Sequence, residues 1–489
     1  MGKGKGTEKV TFNIDKEKDF SRWFSEIIVK AELVDLRYNL KGFVVFRPFA
    51  TMMIEKIYEL FEEKLQSYGH LPCIFPSLIP KENFEKEAQH VKGFVPEVFW
   101  VTEAGKKRIE KLALRPTSET AFYQLYSLWI RSYRDLPLKL YQRAQVWRYE
   151  TKATRPLIRS REFYWIEAHN CFETREEAEK QIKEDIEITR AVMEEKLGVP
   201  FLPLKRPEWD KFAGAIYTIG SDSLMPDGKV IQQPSTHFLG QGFAKVFEIK
   251  FKDKEGKTKY VWQTCYGPCI SRILASVIAT HGDNSGLVLP FSIAPIQVVI
   301  VPIFVEKNKE KVVKKALELE KKLRSCGIKA TVDLKDKTPG EKFFFWEMKG
   351  VPLRIEIGEK EIKEKKLTLF LRDLKEKKKI EEKMLAKKIE EEGKKLDERL
   401  KKKAKRWFKN KIVEAKNFDE LQKAIKEGKI ARCNFCSINK EGTKCAEKIE
   451  KNIGARVRGI RADINEKPEG NCIVCGKKAN VVVYIAKSY

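Results

Sequence analysis

Residues 143–169 run Arg-Ala-Gln-Val-Trp-Arg-Tyr-Glu, then Thr-Lys-Ala-Thr-Arg-Pro-Leu-Ile-Arg-Ser, then Arg-Glu-Phe-Tyr-Trp-Ile-Glu-Ala-His. The outer stretches read as two strands, and residues 151–160 between them as a basic loop carrying Lys152, Arg155 and Arg159. Side chains alternate between the faces of a strand, so Arg148 and Glu150 share one face of the first. On the second, Phe163, Trp165, Glu167 and His169 share one face. Such a surface offers a cation, carboxylates, an aromatic platform and an imidazole beside a mobile basic loop. That is equipment for a nucleoside triphosphate and a small zwitterion. The alternative is an amphipathic hairpin whose polar face is merely solvated, since charged hairpin faces are common.

Three further stretches bear on the same chemistry. Arg-Pro-Thr-Ser-Glu-Thr at 115–120 precedes an apolar helix, and Thr-Ser-Glu there is a helix-start signature. Tyr-Gly-Pro-Cys-Ile-Ser-Arg-Ile-Leu-Ala at 266–275 is a glycine turn into an apolar helix that carries Arg272. Gln-Gln-Pro-Ser-Thr-His-Phe-Leu-Gly-Gln at 232–241 supplies Gln232, Ser235 and His237. Upstream, residues 48–68 read as a helix, with Met52, Met53, Ile57, Leu60, Phe61 and Leu65 at helical spacing. Gly69 ends it, and Cys73-Ile74-Phe75-Pro76 follows as a short strand.

Arg-x-Glu, a basic loop and Arg-Glu-Phe together resemble motif 2 of class II aminoacyl-tRNA synthetases. The helix and strand of 48–76 look like motif 1, the usual dimer element, although helix-then-strand is generic. Residues 266–275 are similar to motif 3. Thr117-Ser118-Glu119 resembles the Thr-x-Glu loop of prolyl synthetases, and Trp165, Glu167 and His169 match that family's Trp-x-Glu-x-His. The resemblance therefore narrows to prolyl-tRNA synthetases of the archaeal and eukaryotic type, over nearly the whole chain.

That resemblance implies an α+β class II catalytic domain, an antiparallel sheet with helices, which activates proline with ATP and transfers it to the terminal adenosine of tRNA(Pro). Arg148 would bridge the proline carboxylate and the α-phosphate, with Arg272 closing the other side on adenine and γ-phosphate. Glu150, Phe163 and the backbone around Arg159 and Ser160 would hold adenine. Glu119 would accept the imino group with help from Thr117, and Trp165, Glu167, His169, His237 and Gly267 would wall the ring. Gln232 and Ser235 would reach the nucleotide, which enters with Mg2+. The family more usually carries a Gly-Thr-Ser-His-like string where 232–241 stands, so Gln232 and His237 are firmer assignments than Ser235. The step from Gly267 to Arg272 is one residue longer than in eukaryotic relatives.

Residues 296–382 alternate strand and helix (strands at 296–303, 329–333 and 353–357, helices at 308–325 and 341–349), the pattern of an α/β unit with a parallel sheet. Pro-Gly-Glu-Lys at 339–342 and Trp-Glu-Met-Lys-Gly-Val-Pro-Leu-Arg at 346–354 resemble the anticodon-binding domain of these synthetases, in which the counterparts of Glu347 and Arg354 read guanines. A solvated helix face and a sheet-end charge are the alternative for that pair. Residues 375–405, nearly all Lys and Glu with sparse apolar residues, read as an exposed helix packed on one narrow stripe.

Of the 10 cysteines, Cys433, Cys436, Cys445, Cys472 and Cys475 crowd the end of the chain as a metal candidate. By spacing alone, the Cys-x-x-Cys pairs 433–436 and 472–475 are the obvious zinc ligands. The resemblance points instead to Cys436, Cys445, Cys472 and Cys475 for a structural Zn2+, with Cys433 as the alternative. It also brings the terminal Tyr489 toward the active site. The expected division is 1–291 catalytic with a short N-terminal extension, 292–400 anticodon-binding and 401–489 a small α/β zinc domain.

At 489 residues the chain has room for two to four cores. Lys and Arg outnumber Asp and Glu by 97 to 70, a net charge of +27, which suits a polyanionic partner more than it suits heat adaptation alone. The start, Met-Gly-Lys-Gly-Lys-Gly-Thr-Glu, has no apolar segment of a secretory signal. The apolar run 287–305 is broken by Pro290, Pro295 and Pro302 and reads as a linker into a buried strand rather than a membrane span. A cytoplasmic homodimer is expected. The rivals are another class II synthetase, such as a threonyl enzyme, whose zinc-binding cysteine and two histidines find no counterpart, and a non-catalytic tRNA-binding paralogue, disfavoured by Arg148, Arg272 and Glu119.

Overall fold

The computed structural model describes residue 12 and residues 14–83, 98–151 and 153–489. Lys152 of the basic loop and the first eight residues, on which the reading against export rests, lie outside them. The chain forms two compact units, one of residues 35–46, 51–277 and 401–489, the other of residues 1–34, 47–50 and 278–400.

The first unit is built on an 11-stranded sheet among the described residues. Its order is Ile412–Glu414, Ile430–Phe435, Val481–Ser488, Arg456–Arg461, Leu202–Lys205, Tyr217–Leu224, Lys229–Gly240, Trp262–Gly267, Glu162–Phe172, Leu138–Trp147 and Leu71–Pro72. From Arg456–Arg461 through Leu138–Trp147 each pair is antiparallel, so a residue on one strand faces a fixed partner on the next. The strands of residues 401–489 thus continue the sheet of residues 138–267, with Ile460 opposite Lys205 and Arg461 opposite Leu204. Helix Glu119–Trp129 buries Phe122, Tyr123 and Tyr126 in a core shared with Phe243, Phe251 and Val261.

The hairpin pairs Leu138 with Cys171 through Trp147 with Glu162. Its first strand stops at Trp147, so Arg148 and Glu150 lie just beyond the strand rather than on it. The cause is local. The Glu150 amide turns back onto the Arg148 carbonyl at 2.8 Å, and the Arg161 amide is taken by the Gly42 carbonyl at 2.8 Å, which closes the ladder. A second correction concerns the strand after helix Pro48–Ser67. It is Leu71–Pro72, parallel to Leu140–Tyr141, and not 73–76. Past Cys73 the Phe75 amide bonds the Gln142 side chain at 3.0 Å, so the segment leaves the backbone ladder.

The second unit holds a five-stranded sheet in the order Ala330–Val332, Val298–Pro302, Leu353–Ile357, Lys366–Leu371 and Glu376–Glu381. The first three are parallel and the last two antiparallel. Helix Lys309–Ser325 covers it with Ala316, Leu319 and Leu323, meeting Val298, Ile300 and Ile355 in one core. The Lys/Glu-rich stretch of 375–405 is not one helix. Its beginning is the edge strand Glu376–Glu381, of which only Ile380 is buried, and the helix is Leu385–Asn410. That helix does bury a narrow stripe, Leu385, Ile389, Leu396 and Leu400. The run 287–305 ends in the fully buried strand Val298–Pro302, and among the described residues no helix is long and apolar enough to cross a membrane.

Candidate active site

The sheet and the loops at its edge place nearly all of the sequence-chosen residues around adjoining cavities. One, of about 160 Å³, is lined by Thr117, Glu119, Arg148, Trp165, Glu167, His169, Gln232, Ser235, His237 and Gly267, together with Phe212, Cys265 and Tyr266. The next is lined by Arg148, Glu150, Leu157, Ile158, Arg159, Ser160, Phe163, Cys269 and Arg272. Arg148 belongs to both.

Strand alternation explains the first cavity. Trp165, Glu167 and His169 point one way from Glu162–Phe172, while Ser235 and His237 do so from Lys229–Gly240. Gly267 ends the intervening strand because a Cβ there would lie 2.7 Å from the Trp165 indole nitrogen, so the indole can lie flat only against glycine. Thr117 donates to a Glu119 carboxylate oxygen and lies 3.0 Å from Glu167, which joins the two buried carboxylates. Ser118 is the helix N-cap by position, but its side chain makes no capping bond. Its hydroxyl accepts from Gln142 at 2.8 Å, which fixes the loop to the hairpin. Arg115 holds the same loop by donating to the Phe75 carbonyl at 2.8 Å and the Gln145 carbonyl at 2.9 Å.

His237 is neutral. Burial first, then the Arg206 charge, pushes its pKa down to about 3, and its ring nitrogens meet the Thr218 hydroxyl at 2.8 Å and the Ser235 hydroxyl at 3.2 Å. Arg148 donates through Nε to the Pro116 carbonyl at 3.1 Å, and its guanidinium lies 5.4 Å from the Phe163 ring centre and 5.2 Å from that of Trp165. Desolvation and the Arg272 charge lower its pKa, which Glu167, Glu119 and Glu150 oppose.

The basic loop is a tight hairpin, with Arg155 and Arg159 exchanging backbone bonds at 2.8 Å. Arg272 anchors it by donating to the Ile158 carbonyl at 2.9 Å. Tyr489 anchors it from the other side, its hydroxyl donating to Asp227 at 2.7 Å and accepting from Arg155 at 3.3 Å. Tyr489 and Ser488 join Arg159, Gln232, Arg272, Arg456 and Arg458 around a third cavity of about 220 Å³. Asp222 grips Arg206 at 2.9 Å and Arg458 at 2.7 Å, all three buried, so an ion cluster ties the terminal strands to the site wall. Burial works to raise the Asp222 pKa, but the two guanidiniums hold it well below the usual carboxylate range. Arg206 in turn reaches Gln232 at 3.3 Å.

The remaining residues form separate clusters. Cys436, Cys445, Cys472 and Cys475 bring their sulfurs within 4.8 Å of one another, and Cys433, opposite Val483 in the strand pairing, is not one of that group. Glu347 and Arg354 meet at 2.9 Å. Arg354 is buried, with its guanidinium between the rings of Phe343 and Phe370 at 3.9 and 4.1 Å and its other donors on Glu356 at 3.0 Å. It is not a free sheet-end charge.

Cys265 is not among the residues that the sequence singled out. The signal was present: Cys265 is two residues before Gly267 on the same strand, hence on the same face. Arg458, brought in by long-range strand pairing, and Phe212, whose amide rests on the Thr218 hydroxyl at 2.9 Å, had no such signal.

Residues 99–281 match the class II tRNA synthetase core domain (G, H, P, S and T), residues 297–392 an anticodon binding domain, and residues 418–489 the prolyl-tRNA synthetase C-terminal domain. Fold and site are thus of the class II aminoacyl-tRNA synthetase kind. The chain is 52% identical over 480 residues to the proline–tRNA ligase of Thermofilum pendens, covering 97% of this chain and 98% of that one. It is 42% identical over 478 residues to that of Pyrococcus abyssi, covering 96% and 98%. A solved structure of Giardia lamblia prolyl-tRNA synthetase in complex with prolyl-adenylate superposes with a TM-score of 0.94 at 38% identity, covering 98% of this chain and all of that chain. The chain belongs to the prolyl-tRNA synthetase family.

Proposed function

We infer that this chain activates proline with ATP and transfers the prolyl group to the terminal adenosine of tRNA(Pro). The observation that carries the reading is that Arg148 lines both the carboxylate-rich cavity and the cavity of Glu150, Phe163 and Arg272. A residue so placed can touch an amino-acid carboxylate and an α-phosphate at once. Activation joins a carboxylate oxygen to the α-phosphorus as pyrophosphate leaves, so negative charge accumulates between two anions. What that step needs is fixed positive charge rather than a base. The planar forks of Arg148 and Arg272 suit it.

Proline enters with its imino cation toward Glu119, assisted by Thr117, and its ring against Trp165, Glu167, His169, His237 and Gly267. Neutral His237 adds no competing charge. Phe163, Glu150 and the backbone of Arg159 and Ser160 hold adenine, Gln232 and Ser235 lie at the junction, and ATP arrives with Mg2+. Labour divides along the sequence into catalysis in 1–291, anticodon reading in 292–400 and a zinc-held terminal domain in 401–489. In the second, Glu347 offers its carboxylate to a guanine edge, paired with Arg354.

The four terminal sulfurs fit a structural Zn2+: an all-thiolate donor set of the right number, held by a strand end, a helix and a tight turn. Zinc would brace the fold there and supply no chemistry to the reaction. A second copy of the chain is the natural cover for the sheet edge at Leu71–Pro72, where Leu71 and Ile74 are 64% and 94% exposed. Work on tRNA supports a cytoplasmic setting.

Charging assays test the reading. Purified zinc-replete protein, ATP–Mg2+ and a tRNA(Pro) transcript should yield prolyl-tRNA. Folded protein that leaves tRNA(Pro) uncharged with proline, or charges it with another amino acid, overturns it.

A further inference from the structure

We propose that the floor of the 160 Å³ cavity is also a divalent-metal site, in which Glu119, His169 and Cys265 take one thiophilic cation of the Zn2+ type and so exclude proline. The inference rests on the reading of this cavity as the proline pocket. Three elements supply the donors: the first residue of helix Glu119–Trp129, strand Glu162–Phe172 and strand Trp262–Gly267. Cys265 and His169 are direct partners across the antiparallel pair, so their side chains stand side by side on one face. The ligand atoms of all three lie within 4.8 Å of one another, and the Cys265 sulfur is 3.9 Å from a Glu119 oxygen.

An independent observation points to a ligand. His169 is 1% exposed, and among the described residues its Nε2 has no hydrogen-bond partner although buried polar nitrogens are ordinarily paired. Its other nitrogen, Nδ1, meets the Tyr123 hydroxyl at 3.2 Å. With Tyr123 accepting from Nδ1–H, Nε2 of this cavity-lining ring is left with a free lone pair, the arrangement by which metal-binding histidines are usually oriented. One nitrogen, one carboxylate oxygen and one sulfur are the ordinary zinc donors, and the cavity leaves a fourth position for water. On binding, the Cys265 Sγ–H bond gives way to Sγ–metal and the proton leaves to solvent. Glu119 cannot hold the metal and a substrate imino cation together, so metal and proline compete.

Cobalt(II) is the probe. Protein whose terminal site is already filled with Zn2+ is titrated with Co2+, and the thiolate-to-cobalt charge-transfer band is followed. The expected result is one further equivalent, displaced by proline, with the apparent KM for proline in pyrophosphate exchange rising at least several-fold at saturating Co2+ while kcat is little changed. Cys265→Ser should abolish the band without releasing the first zinc. Absence of a second equivalent in the wild type, or a band that survives Cys265→Ser, overturns the metal site. A band that appears as expected but resists proline, in protein that performs no proline exchange without added metal, overturns instead the reading of the pocket.

Discussion

At the scale of single residues Arg148 is decisive: its guanidinium faces two cavities and donates to the Pro116 carbonyl. Arg148→Ala should lower adenylate formation by roughly 10²–10³, the loss expected for a preorganised charge partner. Melting should move little; turnover within a few-fold of wild type would show that another cation is the clamp. A second residue prediction follows from Asp185, which is fully buried and accepts from Thr236 at 2.6 Å and Gln181 at 2.8 Å. Burial pushes its pKa from 3.8 to about 7. The folded state therefore keeps a proton that the unfolded chain has lost, and the stability due to this group is full below about pH 4 and declines as pH rises through 7. Asp185→Asn should flatten that decline, raising the melting temperature relative to wild type more at pH 8 than at pH 5. Parallel curves for the two proteins would contradict the assignment.

At the scale of elements, much was legible because alternation along a strand is a local rule. The Phe163–His169 face, the glycine turn before Arg272 and the buried stripe of helix Leu385–Asn410 all follow from spacing. What escaped was set by pairing across the fold. Leu71–Pro72 is a strand because Leu140 and Tyr141 lie beside it, and Glu376–Glu381 carries one buried side chain, so neither shows an apolar rhythm. The terminal cysteines show both limits: spacing allowed Cys433 or Cys445, and only tertiary structure gathers Cys445, and not Cys433, with the other three sulfurs. If the proposed terminal site holds one zinc, elemental analysis should show it lost in Cys445→Ser and kept in Cys433→Ser; the reverse would restore the paired Cys-x-x-Cys scheme. In the anticodon unit, Glu347→Ala should weaken aminoacylation while leaving pyrophosphate exchange nearly intact. Arg354→Ala should in addition lower stability, because it opens the Phe343–Phe370 sandwich and leaves Glu356 short of a buried partner. Equal losses in both assays for Glu347→Ala would mean that the residue acts through folding.

At the scale of the molecule, the excess of 97 basic over 70 acidic residues is a long-range term that no single contact explains. It should appear as a steep salt dependence of tRNA binding, each neutralised phosphate contributing about 0.7–0.9 to the slope of log K against log salt. The KM for proline, set inside a small cavity, should change far less. A flat tRNA dependence would show that the basic excess does not act in tRNA binding. The central claim is narrower than charge: the cavity of Glu119, Trp165 and His169 selects proline, and Arg148 joins it to ATP. ATP–pyrophosphate exchange measured across the twenty amino acids tests it most directly. Strong exchange with proline is expected; exchange with threonine and none with proline would overturn this assignment of the cavity.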